Sequence, residues 1–217
     1  MEEMELKSIW NAYDKKLERS LKLNLKLLED MQKSKAESKL KALLSVKAGG
    51  IIVGALWNLF LGVLLYGNHF RNIYFSISIG VLMLFGIIAI ATYIKHIVLI
   101  SRVDYTGNIT DTQRHLAELQ VSTVNVTGFL WLQLPFYTTF FWNQGWISSG
   151  GSSFWLIAVP ITLIFTALAV WLYKNINHDN LHKAWVKKFM VIGVEYKYVL
   201  SASELLQEIE DFKGDEI

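Results

Sequence analysis

The chain has 217 residues, of which 53% are hydrophobic, 13% aromatic and only 18% charged, against about 25% charged in an average soluble domain. With a mean hydropathy of +0.32 and no cysteine, disorder, collagen-like sequence and a disulfide-stapled secreted fold are excluded, along with thiol chemistry and Cys-ligated zinc. The net charge of +2 conceals a strong asymmetry along the chain.

From residue 4 to about 46 there is no Gly or Pro, and Leu, Lys and Glu dominate, which predicts one long cytoplasmic helix over 1–47. Leu6, Trp10, Tyr13, Leu17, Leu21, Leu28 and Met31 recur at three- and four-residue steps, with Asn24 on the same seam. That stripe suits a partner helix in the manner of a coiled coil. Three covers stay open: the chain's own cytoplasmic helices, a second copy in a homo-oligomer, or a different cytoplasmic protein. Residues 1–31 carry 6 basic and 7 acidic side chains, whereas 32–47 carry 5 basic and 1 acidic. Lys33, Lys35, Lys39, Lys41 and Lys47 therefore read as a juxtamembrane collar drawn to anionic lipid headgroups, at about 1 kcal/mol per cation. Few aromatics accompany these lysines, so nucleic acid is not expected as a partner.

Four stretches reach the roughly 20 apolar residues that a bilayer core requires. They lie at about 48–66, 73–94, 124–142 and 154–173 and form a transmembrane domain over 48–174. Gly50, Gly54, Asn58 and Gly62 repeat every four residues in the first span and predict a close-packed groove. Ser76 and Gly80 in the second span are its expected partner face, and Leu61 is expected to point away from the groove. The second span overruns towards Arg102. A turn over Asp104–Asn108 and a helix from near Thr110 through His115 and Leu119 would complete a cytoplasmic hairpin over 95–123. Gln133 precedes Pro135 in the third span, and Pro160 lies in the fourth.

Of the 21 Lys and Arg residues, 20 fall in 1–47, 95–125 and the tail from 174, leaving only Arg71 for the other side. The positive-inside rule then places both termini in the cytoplasm. The acidic start MEEMELK does not read as a secretory signal. The basic run Lys174–Lys188, which carries Trp185, is expected as a helix along the inner interface at the start of a cytoplasmic tail over 175–217. Val194–Leu200 is expected to be extended, and Ser201 with Glu204 is expected to cap a last acidic helix. The fold class is thus all-α: an integral membrane four-helix bundle with a long N-terminal helix and cytoplasmic helical extensions.

The best metal candidate is the pair His178 and His182, four residues apart, but no HExxH glutamate lies between them. P-loop, GxGxxG and GxSxG patterns are absent, and no ionisable residue sits mid-span. No enzyme activity, cofactor or resident metal is expected.

The run ELKSIWNAYDKKLERSLKLNLKLLEDMQ, the four spans after it and the closing ELLQEIEDF resemble a family of small bacterial four-span membrane proteins. The resemblance implies a bacterial inner-membrane location and, through an association of such proteins with genes for alternative sigma factors, a regulatory role. It carries over no site residues. The expected function is a membrane-anchored interaction or regulatory protein working through its N-terminal helix. The alternative is a small channel or transporter accessory subunit that oligomerises through the first-span glycine groove.

Overall fold

A computed structural model describes residues 2–103, 109–149 and 151–214. Among these residues there is no strand. The first helix, α1 (Glu2–Asn68), is unbroken over 67 residues, about 100 Å at 1.5 Å per residue. It has no proline to interrupt it. His69 and Phe70, both at positive φ, turn the chain into α2 (Ile73–Ser101), whose N-cap Asn72 accepts from the amides of Tyr74 and Phe75. The turn expected over Asp104–Asn108 lies outside the described residues.

From Ile109 the third segment runs as α3 (Ile109–Leu130), a 3₁₀ turn (Trp131–Gln133) and α4 (Leu134–Thr139). The break has a local cause. Pro135 cannot donate to the carbonyl of Trp131, four residues back, and the Leu134 amide takes that carbonyl instead in the tighter i→i+3 pattern. A short helix, α5 (Gln144–Ser148), a π turn (Phe154–Ala158) and α6 (Val159–Asn175) follow. Pro160 enters directly after the π turn, so the fourth segment also opens irregularly.

Among the described residues three helices are long and apolar enough to cross a membrane: α1, α2 and the helix over Phe154–Asn175. The expected third span, interrupted at Trp131–Gln133, is not among them. Outward faces of the three expose large aliphatic residues in quantity, among them Ile52, Leu56, Leu59, Leu84, Leu163 and Ile164.

The tail departs from expectation. Residues 174–188 do not form one helix: α6 ends at Asn175, a 3₁₀ turn covers His178–Asn180, and α7 spans Ala184–Ile192. Nor is Val194–Leu200 extended, because α8 runs from Val194 to Gly214. Only Gly193, at φ −69° and ψ 121°, separates α7 from α8. Tyr196, Val199, Ala202, Leu206 and Ile209 are buried along α8, a three- to four-residue repeat that belongs to a helix. Ser201 therefore sits inside a helix instead of capping one.

α8 packs against α1 and α3. Together with the end of α2, these helices enclose a core of Ala36, Leu40, Leu43, Ile100, Leu116, Leu119, Val199 and Leu206. At the opposite end of the apolar helices, Phe154 is buried against Trp142, Trp146 and Trp155, with ring centroids 5.1 to 5.5 Å apart. The Asn72 side-chain amide donates to the Trp142 carbonyl at 2.6 Å and ties the turn before α2 to the same cluster.

Candidate functional site

Among the described residues, none covers the N-terminal third of α1. Leu6 is 71% exposed and Trp10 72%; Tyr13, Leu17 and Leu21 also lie open, and Leu28 is half-buried. Partial cover begins at Leu25, Leu28 and Glu29, and Gln32 is the first buried residue among those described; its side-chain amide donates to Glu208 of α8 at 2.5 Å. The hairpin residues Leu116 and Leu119, one expected cover for the stripe, instead pack on the Ala36–Leu43 stretch. The amphipathic helix thus divides into an embedded half and a displayed half.

The expected headgroup lysines also divide. Lys35 and Lys39 are exposed, Lys33 pairs with Glu29 at 2.9 Å, and Lys41 pairs with Glu37 at 2.7 Å. Lys47 is fully buried. It continues the buried face of Ala36, Leu40 and Leu43, so the helical period turns it inward, away from any headgroup. Its ammonium donates to Glu195 Oε2 at 2.5 Å and lies 4.1 Å from the centre of the Tyr93 ring. The Tyr93 hydroxyl donates to the other carboxylate oxygen of Glu195 at 2.7 Å. One carboxylate from the first turn of α8 thereby joins α1 and α2. Burial lowers the Lys47 pKa below the ordinary lysine value, while the charge and hydrogen bond of Glu195 pull it back up.

Nearby, two residues beyond the expected second span, His96 is buried with Nε2 2.8 Å from Ser122 Oγ and, among the described residues, no partner at Nδ1. Burial, then the charges of Lys47 and Lys95, push its pKa down to about 4, so the ring is neutral at pH 7. Glu195 also borders a cleft of about 420 Å³ with Thr123, Thr127, Met190 and Tyr196.

The first-span groove faces α2, at a register different from the expected one. The space beside Gly50 is taken by the Tyr93 ring, beside Gly54 by Ile90, and beside Gly62 by Met83. Asn58 lies against Gly86, leaving no room for a side chain there. Gly80 has no atom within contact distance, and Ser76 spends its hydroxyl on the Asn72 carbonyl. Leu61, expected to point away, is buried with Ile79 and Leu82.

His178 and His182 do not share a helix face: the first opens a 3₁₀ turn, and the Nδ1 of the second bonds the Asp179 carbonyl at 2.7 Å. Among the described residues no group of three or more His, Asp or Glu side chains is placed to hold a metal ion. Two features of this architecture were missed in the sequence. Glu195 sits in an apparently ordinary alternating stretch, and its only signal is a helical phase that matches Tyr196–Ile209. Gly128 packs directly under the backbone carbonyl of Ile176, a contact with no local pattern.

No family model, curated protein or solved structure matches the chain.

Proposed function

We propose that this protein is a multi-pass protein of the bacterial cytoplasmic membrane that displays its N-terminal helix to a helical segment of a cytoplasmic partner. In this reading four segments span the bilayer, the third through the interrupted α3–α4 path, and both termini are cytoplasmic. The aliphatic belt on the three long apolar helices and the 20-to-1 split of basic residues support the anchoring.

One observation carries the docking role: Leu6, Trp10, Tyr13, Leu17 and Leu21 remain open on a helix whose same face is partly covered from Leu25 and buried from Gln32. Burying each such side chain gains about 1.5–3 kcal/mol. The chain's own bilayer is a poor cover, because continuous helix carries Leu6 about 60 Å from the start of the first span. The channel alternative has less support, since α2 already fills the groove through which copies were to assemble.

Deleting residues 2–31 should leave an inserted bundle with unchanged melting in mild detergent but without partner association or biological activity. Trp10→Ala with Leu17→Ala should reproduce most of that loss. A deletion variant that inserts and complements fully contradicts the docking role. One whose only loss is a symmetric homo-oligomer identifies the partner as a second copy.

A further inference from the structure

Helix α7 follows the last long apolar helix after a short turn, and its nine residues divide into three faces. Val186 and Met190, four apart, are buried against the bundle. Trp185, Phe189 and Ile192 form a second apolar face that stays open, Ile192 at 75% exposure. Lys187 and Lys188 are exposed on the third face, with Lys183 at the N-cap. A helix packed on its bundle and otherwise in water has no use for a second apolar face.

Two ring contacts tie that face to the apolar segments. The Trp171 ring, near the end of α6, stacks on Trp185 with centroids 5.1 Å apart and 13° between the planes. The Phe189 ring lies 6.2 Å from that of Trp131 in the third segment. The open face of α7 therefore continues the exposed apolar surface of α6, at the helix end where tryptophan favours a membrane interface.

The charge alongside is one-sided. From Lys174 to Lys188 there are four lysines and one acid, Asp179. None of the four meets a carboxylate among the described residues, and Lys183 Nζ reaches only the neutral Asn175 side chain, at 3.3 Å. The lysines of α1 differ: Lys33 and Lys41 are paired and Lys47 is buried. Lys35 and Lys39 stand about 20 and 13 Å before the start of the first span, farther than the Debye length of about 8 Å at physiological salt. Phe189 and Ile192 also edge the cleft of about 420 Å³, where the charged lining group, Glu195, already has both oxygens bonded by Lys47 and Tyr93. The rest of that lining is mainly apolar and offers a seat to a hydrocarbon chain beside the lysines.

We propose that α7 lies in the inner-leaflet interface and binds an anionic phospholipid. Lys183, Lys187 and Lys188 hold its headgroup, and an acyl chain runs along Phe189 and Ile192 into the cleft. Charge complementarity selects an anionic headgroup, and the adjoining apolar face and cleft select a lipid over a free anion. The proposal rests on the membrane placement given above and is independent of the displayed helix.

The test uses the full-length protein with a bimane label at Val194→Cys, an exposed position beside the face but outside it. In dodecyl maltoside micelles it is titrated with dibromostearoyl phosphatidylglycerol or dibromostearoyl phosphatidylcholine, whose bromines quench a label close by. At about 0.15 M salt, the glycerol lipid should bind at least fivefold more tightly than the choline lipid, about 1 kcal/mol. Lys183→Gln, Lys187→Gln and Lys188→Gln combined should abolish that preference. Lys33→Gln, Lys35→Gln and Lys39→Gln combined should leave it unchanged. Ile192→Ser should weaken quenching by both lipids at least threefold. Equal binding of the two lipids, a preference that survives the tail triple variant, or one lost in the α1 triple variant would overturn the proposal. Failure to enter lipid nanodiscs would contradict the membrane placement itself, whereas entry without a lipid preference contradicts only the role of α7.

Discussion

Lys47 shows how one residue changes role with the helical phase around it. On sequence it closes a run of lysines next to the first span; in the fold it lies inside, with Glu195 and Tyr93 as its partners. Removing one member of a buried ion pair strands the other charge and costs about 3–5 kcal/mol, whereas replacing both by apolar residues is often neutral. Lys47→Met and Glu195→Leu should each lower the melting temperature in mild detergent, and the double variant should recover most of the loss. Additive losses in a thermal-melt double-mutant cycle would show that the pair is not coupled. The residue types were legible in the sequence; the pairing was not. Lys47 and Glu195 are 148 residues apart, and the Glu195 stretch resembles an alternating strand until its helical phase is matched to Val199, Ala202 and Leu206.

At the scale of elements, the glycines separate into those that touch a neighbour and those that do not. A Cβ at Gly128 would overlap the Ile176 carbonyl, and backbone cannot swing aside as a side-chain tip can. Gly128→Ala should therefore destabilise the fold by about 1–3 kcal/mol. Gly49→Ala meets nothing within 4 Å and should be neutral or stabilising by up to about 1 kcal/mol, since alanine is the better helix former. Thermal melts of the two variants check this, and equal shifts would contradict the α3–α6 contact. The first-span groove was legible as a four-residue repeat of small residues, because close backbone approach demands them. Its partner was not, because Ser76 and Gly80 offer the same spacing as the actual contact face but lie at the wrong height. The interruption at Trp131–Gln133 was foreshadowed by Pro135, while the single-residue joint at Gly193 had no more signal than one glycine. α8 was half legible: the acidic end read as helix, but a weak alternation over Val194–Leu200 concealed its first two turns.

For the whole molecule, the helical class and the long apolar segments follow directly from composition, because charge-free runs of some twenty residues have few other uses. What composition could not reveal is where self-packing stops along α1. The switch occurs over residues 25–32, where side chains pass from partly covered to buried and Gln32 bonds Glu208 of α8, and it depends on how the tail folds back across the chain. The displayed half follows from that boundary: the same apolar period continues on both sides of it, but only one side is covered. Anchoring and display together form the central claim, and they place Leu17 and Ser149 on opposite sides of a bilayer. The native chain has no cysteine, so Leu17→Cys and Ser149→Cys can each be labelled alone with a membrane-impermeant maleimide in intact and permeabilised cells. Ser149→Cys should label in intact cells and Leu17→Cys only after permeabilisation; labelling of Leu17→Cys in intact cells, or of both residues only after permeabilisation, would contradict the account.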